Sequence, residues 1–195
     1  MSNSSKATVL LVVLFAGGAW AQQPAAGEHA IEAYVSEDAI SALYIRETDV
    51  SQVGRTEISG GVFFNEDRDL VATGTALAAI GSPQAFTRFR LRVGPRAYAS
   101  FLHTEDEDVF GLAVGGEARY LLGPERGGSI VLSLFYAPDI LVFGSADGVK
   151  DATIRFEAGL RGDTMVFVGY RWLEMDLDVD RRIEDGAHIG FRRQF

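Results

Sequence analysis

The sequence predicts an all-β fold: a closed antiparallel transmembrane β-barrel of about ten strands, preceded by an N-terminal signal peptide. Three observations carry this. From Ile31 onward the apolar residues repeat with period two, turn-rich breaks recur every 10 to 15 residues, and no segment reads as a helix. The 22 glycines, 13 phenylalanines and 6 tyrosines, against 5 prolines, suit many strands.

The first stretch reads as a targeting segment. Lys6 precedes an apolar run from Ala7 to Ala19, and Ala19-Trp20-Ala21 offers small residues where a signal peptidase reads them. The run is short for a spanning helix, which needs about 20 residues. Residues 1–21 are therefore expected to be the signal, and residues 22–195 the barrel domain. No later segment reaches the apolar length of a transmembrane helix. The chain has no cysteine, which excludes disulfides and thiolate metal sites. Its net charge of −9 becomes more negative once Lys6 is removed, which argues against nucleic acid as a partner.

The clearest strand sets Phe110, Leu112, Val114, Ala118 and Tyr120 on one face against Gly111, Ala113, Glu117 and Arg119. Phe89, Leu91, Val93, Ala97 and Phe101 repeat the pattern against Arg88, Arg90, Arg92 and Arg96, and Ile154, Phe156 and Leu160 against Arg155, Glu157 and Arg161. In a soluble sandwich the charged face would be wet; in a lipid-embedded barrel the polarity inverts and the charges line the interior. The strand ends decide between the two. Phe101, Phe110, Tyr120, Tyr136, Phe143, Tyr170 and Trp172 cluster there, as in an interfacial girdle. The final strand closes on Phe195, with Gly190 and Phe191 placed as in the terminal signal read by the barrel assembly machinery, although Arg193 stands where that signal is normally apolar.

Ten strands are drawn, over 30–36, 39–46, 55–65, 69–80, 87–102, 108–122, 129–137, 151–162, 165–178 and 186–195. An eight-stranded barrel with the first hairpin packed elsewhere is the alternative. Counting back from a periplasmic Phe195 puts Gly162-Asp163 at a periplasmic hairpin and Pro138 to Lys150, the longest loop, outside, in keeping with short inner turns and long outer loops. Within 165–178 the apolar phase switches after Trp172, from Val166, Val168 and Tyr170 to Leu173, Met175 and Leu177, which predicts a bulge or the membrane boundary.

Gly115-Gly116-Glu117-Ala118-Arg119-Tyr120, Tyr136-Ala137-Pro138-Asp139 followed by Phe143-Gly144, Val168-Gly169-Tyr170-Arg171 and the closing His188-Ile189-Gly190-Phe191 resemble the YfaZ family of outer-membrane proteins. The likeness runs from about Ile31 and is best in the second half. It implies a signal peptide and a barrel in the outer membrane, in contact with outer-membrane lipids and lipopolysaccharide. It brings no catalytic residues, because the family has no established reaction.

The expected lumen holds Arg88, Arg90, Arg92, Arg96, Arg119, Arg155, Arg161, Arg171 and Arg192 facing Glu57, Glu117 and Glu157. A surplus of guanidinium groups would make a narrow anion-preferring channel. A salt-bridged plug is favoured, because so few strands leave little room. Acid collects instead in four outer loops, at Glu37-Asp38, Glu66 to Asp69, Glu105 to Asp108 and Asp176 to Asp185. These could hold divalent cations that bridge to lipopolysaccharide phosphates, but none has EF-hand spacing, so solvated loops are the favoured reading. A lipid-modifying enzyme would need His103 with Ser100 or Ser145 and an acid, yet no nucleophile motif surrounds either serine. His188 reads as a hydrogen-bonding group of the lumen, and no cofactor is expected. Gly60-Gly61 and Gly115-Gly116 lie inside strands with no helix following, so they read as places where the wall bends and not as a nucleotide site.

Overall fold

The computed structural model describes residues 29–50, 54–80, 88–103, 107–122, 128–160, 163–177 and 181–195. The expected signal peptide lies outside them. Eleven strands form: β1 (His29–Ser36), β2 (Ala39–Val50), β3 (Gly54–Asn65), β4 (Leu70–Ile80), β5 (Phe89–Leu102), β6 (Glu107–Leu121), β7 (Ser129–Pro138), β8 (Val142–Gly144), β9 (Gly148–Gly159), β10 (Thr164–Asp176) and β11 (Arg181–Gln194). Each long strand pairs antiparallel with its neighbours, and β1 pairs with β11 from Ala30 opposite Gln194 to Ser36 opposite His188. The sheet therefore closes as a ten-stranded barrel, with the three-residue β8 added on β6. Closure leaves no edge of unpaired backbone groups, the condition for crossing hydrocarbon with strands.

β1 and β2 are full members of the wall, which rules out the eight-stranded alternative. Several ends differ from expectation: β2 runs to Val50, β9 starts at Gly148, and β11 starts at Arg181, so part of the expected acidic outer loop is strand. The expected open loop from Pro138 to Lys150 is also mostly ordered. Asp139–Leu141 form a 3-10 turn, and Val142–Gly144 lie beside Val109–Gly111, extending the wall above the point where β7 leaves β6. Loop lengths do not separate the two ends as expected. Connections 81–88 and 122–128 stand at the end that carries the termini, and they outrun every connection at the opposite end except 139–147. Pairing register, not loop length, is what fixes this barrel.

The pleat sends alternate residues outward. Ile31, Tyr44, Val62, Leu112, Leu134, Ile154, Val168 and Ile189 are exposed around the circumference, with Phe64, Phe101, Phe110 and Phe143 towards one end and Tyr44, Phe89, Tyr120 and Phe195 towards the other. A soluble monomer rarely exposes apolar patches beyond a few hundred Å². Of the expected girdle, Trp172 alone is half-covered.

The interior is layered. Away from the termini it is mainly apolar, built by Phe63, Val71, Leu102, Val109, Leu173 and Met175, among others, with Asn65 and Asp69 buried and hydrogen-bonded to each other at the far rim. This corrects the reading of the phase switch after Trp172. β10 keeps one unbroken register with β9 from Met165 to Asp176, so Phe167, Arg171, Leu173 and Met175 all point inward. What changes along the strand is the chemistry of the interior, from charged to apolar. The expected bulge is present too, as a register shift against β11 between Leu173 and Glu174.

Gly94 and Gly115 sit opposite each other on β5 and β6, facing inward. A Cβ at Gly94 would stand 1.9 Å from the Ala76 carbonyl oxygen, and one at Gly115 would stand 2.0 Å from that of Leu134. Only glycine lets neighbouring backbones approach so closely where the wall curves.

Candidate functional site

Two ion-pair networks fill the half of the lumen nearer the termini. In the first, Glu32 on β1 accepts from Arg155 at 2.8 Å and from Arg192 at 2.8 and 2.7 Å. Arg155 Nε is 2.8 Å from Glu157, which also pairs with Arg119 and accepts from Ser129 at 3.1 Å. Arg119 reaches Glu117 at 3.4 Å, while Arg92 pairs with Glu57 and, at 3.0 Å, with Glu47. The second network, further from the termini, centres on Asp151. Its carboxylate accepts from Arg96 at 2.8 Å, Tyr98 at 2.8 Å and Arg171 at 2.9 and 3.1 Å. Arg171 also donates to Tyr34 at 2.9 Å and lies 3.4 Å from Glu184, to which Tyr34 donates at 2.8 Å. Because inward residues alternate along each strand, β5, β6 and β9 each supply two or three of these groups, and the pairs link strands across the lumen.

The arginines also join the charged and apolar layers. The Arg96 guanidinium lies 3.7 Å from the Phe135 ring centroid, and that of Arg171 lies 5.6 Å from Phe63. Cation–π contact lets the charge sit on the apolar plug without a gap. Between the two networks is a cavity of about 100 Å³, bordered by Tyr34, Ser59, Thr75, Ser133, Thr153 and His188. Ligand pockets for drug-sized molecules run to roughly 300–1,000 Å³, so this one has no room for such a solute.

The expected lumen residues separate into three groups. Arg92, Arg96, Glu117, Arg119, Arg155, Glu157, Arg171 and Arg192 lie inside, each with a partner of opposite charge. Arg88 and Arg90 do not join them: Arg88 precedes β5, and Arg90 is exposed at the mouth. Alternation assigns a side chain to a face but not to a depth. Arg161 lies outside the described residues. His188 is buried beside the cavity, its ring tilted against Tyr34 at 4.6 Å between centroids, and its Nδ1 has no hydrogen-bond partner among the described residues.

Sequence reasoning missed Glu32, Glu47, Asp151 and Glu184, which together remove the expected guanidinium surplus. Among the described residues six interior arginines meet seven carboxylates: Glu32, Glu47, Glu57, Glu117, Asp151, Glu157 and Glu184. Glu32 was legible as the polar partner of Ile31, Ala33 and Val35, and Asp151 shares the alternation of Arg155. Glu184 shares the alternation of His188 and Arg192 but fell in the stretch expected to be an outer loop. At the rim, His103 is exposed while Ser100 is fully buried inside the barrel, so that pair is not assembled. Among the described residues no three acidic or histidine side chains gather as a metal site, and Glu105, Asp106, Asp178 and Asp180 lie outside them.

The family model described as YfaZ precursor matches residues 45–195, most of the barrel. The chain belongs to the YfaZ family. Comparison with curated proteins finds no match. The outer membrane channel DcaP of Acinetobacter baumannii is similar at a TM-score of 0.41 and 11% identity, over 84% of this chain and 54% of that one. The chain thus spans about half the length of that channel, and so slight a likeness carries no argument about function. In this YfaZ chain, the resembling Gly-Gly-Glu-Ala-Arg-Tyr and Val-Gly-Tyr-Arg segments place Glu117, Arg119 and Arg171 in the interior networks. Its closing strand turns Phe191 and Phe195 outward, and Gly190 inward against Phe167.

Proposed function

We propose that this YfaZ protein is an outer-membrane barrel with a closed lumen and a structural role, without catalysis, its termini facing the periplasm after removal of residues 1–21. The supporting observation is that every described interior guanidinium is paired with a carboxylate beneath an apolar plug. Charges balanced in this way offer an anion no net attraction, and the plug offers it no hydration. Outer-membrane lipids and lipopolysaccharide are the proposed surroundings. Gly190, Phe191 and Phe195 are proposed to be read by the barrel assembly machinery, and the acidic loops would meet divalent cations at the lipopolysaccharide surface.

Planar-bilayer recording tests the closed lumen. No conductance steps are expected from the reconstituted protein. Anion-selective steps that lose selectivity in Arg92→Ala and Arg155→Ala would replace this reading with the narrow channel. Mass spectrometry of lipid A with and without the protein tests the absence of catalysis, and unchanged lipid is the expected result.

A further inference from the structure

We propose that Arg46 and Arg193 form a binding site for the phosphate of a glycerophospholipid headgroup, on the outer wall at the rim that carries the termini. The proposal rests on the outer-membrane reading above.

The wall is apolar at mid-height, so charges on it need a reason. Towards the rim opposite the termini, Lys150 and Arg182 have one. Lys150 lies 2.7 Å from Asp176 and 3.3 Å from Glu174, and Arg182 lies 2.9 Å from Asp185. At the rim with the termini, Arg55 and Arg90 share the lumen-facing alternation of their strands, whereas Arg46 and Arg193 share the outward one, with Tyr44 and Phe191. Both are exposed, and neither has a carboxylate partner among the described residues. They thus differ from Lys150 and Arg182, the outward strand cations of the other rim, which have carboxylate partners. Arg193 is also the residue that departs from the usual apolar pattern of a terminal strand.

The two arginines flank β1. Arg46 stands opposite His29, and Arg193 opposite Ile31. They are two strand spacings apart, about 10 Å, and two residues apart along the barrel, a distance that two long side chains can close upon one phosphodiester. The ground between them is aromatic. His29 Nδ1 is 2.5 Å from the Tyr44 hydroxyl, and its ring stacks with Tyr44 at 5.9 Å and with Phe195 at 6.1 Å. Flat amphipathic rings settle at the depth of the glycerol esters, and arginine stems reach past them to the headgroup. The arrangement is thus cationic where the lipid is anionic and aromatic where it changes to hydrocarbon.

The test uses full-length mature protein, folded and delipidated in detergent, with phosphatidylglycerol titrated and bound lipid read by native mass spectrometry. Retention of phosphatidylglycerol is expected, diacylglycerol with the same chains should bind far less, and excess inorganic phosphate should not displace the lipid. The Arg46→Ala/Arg193→Ala variant should bind about thirty-fold more weakly, roughly a factor of five for each guanidinium. Arg46→Lys/Arg193→Lys should recover most of that loss, and the single alanine variants serve if the double one does not fold, as heat-modifiable gel mobility will report. Equal binding by the alanine variants, equal retention of diacylglycerol, or displacement by inorganic phosphate, which would mark a soluble-anion site, each overturns the proposal. A mature chain that folds and stays soluble without detergent would instead remove the outer-membrane reading itself.

Discussion

Asp151 receives four hydrogen bonds from three side chains, as many as Arg171 donates, and the two together tie β1, β5, β9, β10 and β11 across the lumen. Two of its partners, Arg96 and Arg171, are charged. A buried pair contributes little relative to well-packed apolar residues, but removing one member leaves an uncompensated charge that costs about 3–5 kcal/mol. Asp151→Asn keeps the shape and removes the charge, and it should lower the unfolding free energy, read from denaturant titration in detergent, by an amount in that range. Arg90→Ala, in the same alternating series as Arg92 but exposed at the mouth, should change it by less than about 0.5 kcal/mol. Equal effects would mean that the network does not carry the stability of this half of the barrel. The pair also marks the limit of what the sequence reveals about single residues. Facing follows from parity in a strand, so Arg92, Arg155 and Arg192 could be assigned to the interior; depth depends on strand tilt and stagger, which no single strand records.

Strand number and pairing order were legible because each element repeats the same apolar alternation, and ten such repeats imply closure. Strand ends were less legible where polar strand residues extend beyond the apolar run, as in Arg46 to Val50 of β2 and Arg181 to Asp185 of β11. The β10 phase switch misled for a related reason. Period two reports polarity relative to two faces, and in this barrel the inner face changes from charged at Arg171 to apolar at Leu173 with no turn of the strand. The glycine pairs were read as bends, and Gly94 with Gly115 gives that reading a measurable form. Valine at position 115 would push its Cβ into the Leu134 carbonyl, a contact that backbone must yield to relieve. Gly115→Val should therefore abolish the compact, heat-modifiable gel band, whereas Gly74→Val, where a Cβ meets nothing within 4 Å, should keep it. If both variants fold alike, the close approach of β6 to β7 is not what sets the curvature.

For the whole molecule, the inversion of polarity between wall and lumen depends on what covers the exterior. Leu134 and Ile154 are more than half exposed and lie near mid-height on β7 and β9, within the apolar band. The two candidate solvents predict opposite costs for a charge at these positions. In water, a substitution at an exposed site with no special contacts stays within about 0.5 kcal/mol. In a bilayer, arginine on the lipid face near the midplane costs about 2–4 kcal/mol, because its guanidinium must be dragged from water into hydrocarbon. Leu134→Arg and Ile154→Arg, unfolded by guanidinium chloride from phospholipid vesicles, should each lose stability in that upper range. Moving the same arginine to Tyr44, at the rim beside Arg46, should reduce the loss to about 1 kcal/mol or less, since there the side chain reaches the interface. A cost that depends on height in this way requires a slab of hydrocarbon around the barrel. A flat, near-zero response at all three positions would leave the exposed apolar girth without a solvent, and would call for a second protein surface in its place.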